Sequence, residues 1–349
     1  MPKLTSDKIR NIVLLSHGGA GKTSLAESML FESGGVPRLG SVDEGTSTSD
    51  YEDEEIKRRV SIQTSILPCT WKGHKINVID TPGYADFRGE TVSGLRVADA
   101  AVIVISAPSG VEVGTRQFWK LVEDIDIPKI VFVNKMDREN SNEERVIDSI
   151  SQQLGRQCVP VQIPIGAESS FSAVKDLLIG SNDESEDIEG RLIAARDKLT
   201  EVVADSDDDL ATKYLEGEDI SEQEISSGLK QGILSGMIVP VMFGSATSGI
   251  GTANLLDSIV GFMPSPLDVE SSQSNLQSSE EPVLLPCSAD GPLAALVFKT
   301  SADPFVGKLS YLRVYSGTFS SDAVVWDSNK AESERVGQVF VINGKTQES

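Results

Sequence analysis

The sequence predicts an α/β fold: a doubly wound, mostly parallel sheet with an inserted helical subdomain, followed by part of an all-β barrel. Three observations carry this. Residues 11–137 alternate short, apolar, β-branched runs with amphipathic stretches, as buried parallel strands and their covering helices do. A loop of small residues joins the first run to a helical pattern. From Leu293 the pattern turns to β runs alone, separated by Gly- and Asp-rich turns.

The expected strands of the first region are 12–16, 61–70, 75–80, 101–106 and 129–134. Lys72-Gly73 offers a turn that lets the second and third pair as a hairpin. Residues 40–57 are polar and acidic without periodicity, and read as a long flexible loop, a segment suited to a switch. A helix is expected over 141–154. After it, Leu192, Ala195, Leu199, Val202 and Val203 recur at helical spacing, and Ser221 with Glu224 forms a capping box with Ile220 stapled to Ile225. Residues 160–236 therefore read as a small helical insert. The sheet resumes over 238–243, and a last helix over 254–262 ends at Pro264-Ser265-Pro266. Residues 268–282 are Ser/Gln/Glu-rich and read as a linker. Expected strands then fall at 293–299, 309–315, 323–326 and 336–341. Four strands are too few to close a barrel, so the chain is expected to be a fragment of a longer protein.

Composition narrows the function. A chain of 349 residues is expected to hold two or three domains. The net charge of −22 argues against nonspecific attraction to RNA or anionic membrane. Cys69, Cys158 and Cys287 are odd in number and scattered, which suits a reduced, cytoplasmic protein and neither a disulfide framework nor a metal cluster. No apolar run approaches the ~20 residues of a membrane span.

Ser16-His17-Gly18-Gly19-Ala20-Gly21-Lys22-Thr23 lies between the first strand and the first helix. Small residues there let backbone N–H groups of His17, Gly18, Gly19, Ala20 and Gly21 face phosphate oxygens. Lys22 is placed to reach the β- and γ-phosphates, the Thr23 hydroxyl to bind a cation, and Ser24 to continue the cradle at the helix start. The strict form of this motif opens with Gly, where this chain has Ser16. Asp80-Thr81-Pro82-Gly83 ends a strand nearby. Asp80 suits a cation held through water, and Gly83 a backbone amide brought near the γ-phosphate. Asn134-Lys135-Met136-Asp137 is more specific. The Asp137 carboxylate can accept two hydrogen bonds from guanine, which adenine does not offer, a discrimination of roughly 10⁴. Lys135 suits the base plane, and Asn134 either the phosphate loop or the base. Gly244-Ser245-Ala246 ends the last strand, where the amides of Ser245 and Ala246 suit guanine O6.

This order of motifs is similar to that of a GTPase, and the text between them resembles elongation factor G. The resemblance is carried by DTPGYADF (80–87), NKMDR (134–138), YLEGE (214–218), FMPSPLD (262–268), DPFVG (303–307) and RVYSG (313–317). It implies a GTP-binding domain over 1–267, with its insert at about 160–236, and the start of a β-barrel domain over 283–349. It implies GTP/GDP and Mg2+ as ligands, the metal taken by Thr23, Ser61 and, through water, Asp80. It implies a monomeric partner of the ribosome; the acidic insert suits either contact with a ribosomal stalk protein or a simply solvated face. It implies neither membrane nor sequence-specific nucleic-acid binding by this part of the chain. Lys22 and Tyr84 would be the catalytic residues.

Three departures bear on activity. Ser61 stands where the family usually has Thr, within Arg58-Arg59-Val60-Ser61-Ile62 in place of Arg-Gly-Ile-Thr-Ile. Gly19 replaces the usual Asp, which puts a monovalent-cation site in doubt. Tyr84 replaces the His that orients the attacking water, and a phenol is a poor proton acceptor near neutrality. Two readings stand: a working translational GTPase, in translocation or a related step, or a ribosome-associated switch or ribosome-protection factor with weak hydrolysis.

Overall fold

A computed structural model of the chain describes residues 4–178, 185–269, 273–275, 282–303 and 307–348. It opens with β1 (Ile9–Leu15), α1 (Lys22–Glu32) and the short α2 (Asp53–Arg58). β2 (Ser65–Trp71) and β3 (His74–Asp80) make the antiparallel hairpin expected across Lys72-Gly73. α3 (Arg88–Leu95), β4 (Ala100–Ser106), α4 (Val113–Asp124), β5 (Lys129–Asn134) and α5 (Glu143–Leu154) then alternate.

β1 shows why these runs are apolar throughout. Ile12 and Leu14 face Leu25, Met29 and Leu30 of α1. Val13 and Leu15 face the opposite cluster, with Phe118 and Trp119 of α4 and Ile150 of α5. All four side chains are fully buried, each worth about 1.5–3 kcal/mol of transfer free energy. Helices on both faces favour apolar residues at successive positions, and the polar Arg10 and Asn11 at the start of β1 are hydrogen-bonded.

The next stretch differs from a purely helical insert. It begins with three short strands: β6 (Cys158–Pro160), β7 (Gln162–Ile165) and β8 (Ala173–Asp176). β6 joins the main sheet, and β7 and β8 pair as a separate hairpin. Only then come α6 (Glu186–Ala204), α7 (Asp208–Glu216) and α8 (Glu222–Leu234). Their shared core is Leu199, Val203, Leu210, Ile225 and Leu229. The α8 capping box forms as its sequence requires, with Ser221 and Glu224 each accepting from the other's backbone. The hairpin strands are only four residues long, too short for period-2 alternation to show.

β9 (Val239–Phe243) and α9 (Thr252–Phe262) complete the layer. The sheet order is β2-β3-β1-β4-β5-β9-β6, parallel except for β2. Every motif identified above follows the C-terminal end of a strand in this sheet: β1, β3, β5 and β9.

Two expected boundaries move. The strand expected at 61–70 starts at Ser65, because the backbone amides of 62–64 are taken by carboxylates and not by a neighbouring strand. Residues 40–57, expected as a flexible loop, contain most of α2 and are held by buried side chains described below.

The linker expected at 268–282 lies largely outside the described residues. Within it β10 (Gln273–Asn275) pairs with β11 (Pro282–Leu284). The second region consists of successive antiparallel pairs. These are β12 (Ala294–Asp303) with β13 (Gly307–Ser316), β14 (Val324–Asp327) with β15 (Glu332–Arg335), and β16 (Val341–Asn343) with β17 (Thr346–Glu348). The strand expected at 336–341 is not formed. Pairing with β14 falls on the polar Glu332–Arg335, which the turn before it brings opposite. Exposed polar strands carry no apolar alternation to read.

Candidate functional site

At the phosphate loop Gly18 and Gly21 stand where a Cβ would collide, and Gly19 where the backbone is left-handed though the space is open. Gly19 and Gly21 have φ of +83° and +95°, a region L side chains rarely adopt. A Cβ on Gly21 would lie 2.4 Å from Asn134 Nδ2, and one on Gly83 would lie 2.5 Å from Lys22 Nζ. Gly18, Gly83 and Lys22 therefore converge on one point. Tyr84 closes that point from outside. Its ring rests on Gly18, 2.8 Å from where a Cβ would be, while 46% of the residue stays exposed. His17 turns aside, with Nε2 3.6 Å from Glu112 Oε1. Its carbonyl accepts the Ala20 amide at 3.3 Å. Ser24 is half-buried on α1.

Lys22 is buried and donates to Ser16 Oγ at 2.9 Å. Burial lowers its pKa to about 8, against the pull of Asp80 and Asp50. Ser16 thus has a use that glycine could not supply. Thr23 Oγ1 and Ser61 Oγ lie 2.9 Å apart, so the closure of the 40–64 segment brings the two hydroxyls together.

Two carboxylates join them. Asp80 is 1% exposed and accepts from Ser49 Oγ at 2.7 Å, while its Oδ1 has no partner. Asp50 is 4% exposed, and neither oxygen has a partner at normal hydrogen-bond geometry. Burial, and next the charge of Asp80, push its pKa up to about 7, with the nearby Ser61 hydroxyl pulling it down. Three orphaned carboxylate oxygens beside two hydroxyls form an oxygen-only donor set that fits a hard divalent cation such as Mg2+.

Asp50 was not among the residues singled out in the sequence. It is one of seven acids between 43 and 55, and nothing local marks it. Glu27 was also missed. It is fully buried on α1 and accepts from Ser47 Oγ (3.0 Å), Thr48 N (2.7 Å), Thr48 Oγ1 (3.2 Å) and Ser49 N (3.1 Å). Its only signal is an acid flanked by the apolar Leu25, Ala26, Met29 and Leu30 of α1. Glu55 of α2 accepts the amides of Ile62 and Gln63 at 2.8 and 3.0 Å. Between these anchors Arg59 caps α2 at φ +56°, a left-handed conformation that glycine adopts without strain.

The other end of the site is tied by its own residues. Asn134 donates to Ala20 O and accepts from Ala246 N, both at 2.9 Å. Of its two expected roles, the geometry shows the bracing of the phosphate loop. Lys135, at φ +66°, donates to Gly19 O at 2.6 Å. Ser245 is buried, its amide bonded to Ile250 O at 2.9 Å. Asp137 keeps one buried oxygen, Oδ1, without a partner, and the other is 3.9 Å from Arg138 Nε. A buried free acceptor is what a donor-bearing base edge requires.

Known families match both regions of the chain. The elongation factor Tu GTP binding domain family matches residues 7–265, and elongation factor G domain 2 matches residues 292–349. A crystal structure of a Thermus thermophilus protein superposes with a TM-score of 0.84 at 29% sequence identity, covering 98% of this chain. The chain spans half the length of that relative.

Proposed function

Because the chain belongs to the elongation factor Tu GTP-binding family, followed by an elongation factor G second domain, we propose that it is a translational GTPase acting on the ribosome. It is read as a translation factor that takes GTP and GDP at the four strand ends. The phosphates are read as lying in the loop 17–24 and the base between Lys135 and Asp137; the Ser245 and Ala246 amides, expected at guanine O6, are instead taken by Ile250 O and Asn134 Oδ1 and brace that end. The single observation that carries this is the convergence of Lys22, Gly18 and Gly83 beside the orphaned oxygens of Asp50 and Asp80.

Thr23, Ser61, Asp80 and Asp50 are the residues that would hold Mg2+. The metal, when bound, neutralises phosphate charge and so favours transfer to water. Lys22 holds its proton against burial and turns its charge toward the same point. The backbone amides orient the phosphates, and Tyr84 limits the approach of water. Glu27 and Glu55 hold the segment that brings Ser61 to Thr23. The ribosome, and a stalk protein at the acidic insert, are the proposed partners.

One observation favours a second reading. Tyr84 rests on Gly18, and a phenol cannot take a proton from water at neutral pH. A slow-hydrolysing switch, or a ribosome-protection factor, is consistent with that contact. Single-turnover GTP hydrolysis by the whole protein, with and without ribosomes and beside Tyr84→His, decides. Strong ribosome stimulation of the wild type is the expected result. A flat wild-type rate that rises in the histidine variant would transfer the assignment to the switch reading.

A further inference from the structure

The second domain touches the segment 48–66 at three separate places. At the first, Lys299 of β12, its side chain 4% exposed, donates through Nζ to Thr64 O at 2.5 Å. At the second, the hydroxyl of Tyr311 on β13 meets Tyr51, whose pKa is raised by burial first and then by Tyr311. At the third, the Gly344 amide donates to Ile66 O at 2.9 Å, and a Cβ on Gly344 would lie 2.4 Å from Thr48 O. Between these points lie Asp50 and Ser61.

The Lys299 contact also reaches a second element of the site. Glu90, on the helix that follows Asp80-Thr81-Pro82-Gly83, accepts the Thr64 amide through Oε2 at 2.8 Å. Thr64 Oγ1 donates back to Glu90 O at 3.1 Å. Lys299 Nζ is 3.8 Å from that same Oε2 and 5.4 Å from the centre of the Tyr311 ring. One buried ammonium therefore holds the carbonyl of Thr64 and faces the carboxylate that holds its amide. Thr64 is three residues from Ser61, whose hydroxyl meets Thr23. A second strut, Arg313 to Asp99 at 2.7 Å and to Val97 O at 2.9 Å, fixes β13 against the sheet, so Lys299 is presented from a rigid base.

We propose that Lys299 is a positioning residue for the nucleotide site: with Glu90 it clamps Thr64, and through Thr64 it holds Ser61 in the triphosphate-binding position. The inference rests on the assignment of GTP to this site. On this proposal the grip favours whichever nucleotide keeps Ser61 against Thr23. A contact that favours one state must shift the relative affinity for the two ligands.

The test uses the whole protein with a fluorescent GDP and displacement by GDP or by a non-hydrolysable GTP analogue. Lys299→Met is expected to weaken the GTP analogue about ten-fold and GDP less than about two-fold, within the usual range of coupling between sites. Lys299→Arg, which keeps charge and donors, is expected to stay near wild type. Trypsin supplies the second readout, because Lys57, Arg58 and Arg59 are exposed. With GTP analogue bound, cleavage there should accelerate in Lys299→Met alone. Equal weakening of both nucleotides, or no change in a variant that still melts cooperatively, overturns the proposal. If Lys299→Met fails to fold, Glu90→Gln removes the charge at the same point and decides on the same readouts. A wild type that binds neither guanine nucleotide overturns the site assignment itself, and the inference with it.

Discussion

The two ends of the site are built on opposite terms. At the base end, Asn134, Lys135 and Ala246 are bonded to the phosphate loop and to one another, and a single buried oxygen, Asp137 Oδ1, is left open. At the phosphate end, Asp50 and Asp80 keep three buried oxygens unpartnered, and Lys22 is a buried ammonium whose side-chain hydrogen bond is to Ser16. The first end is preorganised, so its interactions add affinity without a cost of ordering. The second holds groups that are unfavourable until a ligand satisfies them, and the segment that supplies Asp50 is anchored by Glu27 of α1. On the proposed reading, base identity belongs in the rigid end and nucleotide state in the unsatisfied one. A site that must keep its base while changing its phosphates needs this division.

The largest effect expected from this contrast is at the base end. Asp137→Ala removes the free buried acceptor, and preference for GDP over ADP should fall by roughly 10⁴, read by competition against a fluorescent GDP. Preference that survived the change would move base recognition away from Asp137 and end the comparison. Next comes the phosphate end. Lys22→Ala should weaken a GTP analogue by about 100-fold, the scale for truncating one member of a buried charged pair, with GDP weakened less. Titration calorimetry on both nucleotides checks this. Equal affinities in variant and wild type would place the phosphates elsewhere.

How much of the site could be read in advance follows the same division. Asn134, Lys135 and Asp137 fall within four residues at the end of an all-buried strand, so they read as one short motif. The phosphate loop was equally legible, because its glycines, Lys22 and Thr23 are sequential. Asp50 and Glu27 were not, since each acquires its role only when 40–64 folds back over α1. Glu27 is a fully buried acid whose four donors come from residues 20–22 positions away. No local pattern records a contact of that range. The sheet was legible for the reason the base end was: Ile12 to Leu15 and Lys129 to Asn134 are buried on both faces, and continuous apolar runs report that. The hairpin inside the insert and the polar strand Glu332–Arg335 were not, because neither is long or apolar enough to show a period.

The smallest effect concerns the backbone of the anchored segment. Arg59 holds φ +56° where the related pattern has glycine, with its side chain exposed. A left-handed residue with a Cβ costs about 1–2 kcal/mol, and glycine returns part of that as entropy of the unfolded chain. Arg59→Gly should therefore stabilise the nucleotide-free protein by about 0.5–1 kcal/mol, a rise in Tm on the order of 1–2 °C for a chain of this size. Differential scanning calorimetry reads it, and the GDP-over-ADP preference measured beside it should not move, since Arg59 belongs to the segment whose Ser61 meets Thr23 at the phosphate end. A drop in Tm would mean that the arginine side chain contributes more than the strain removes. A change in base preference would mean that the two ends are not separable, and that the rigid end takes its shape from the segment folded over α1.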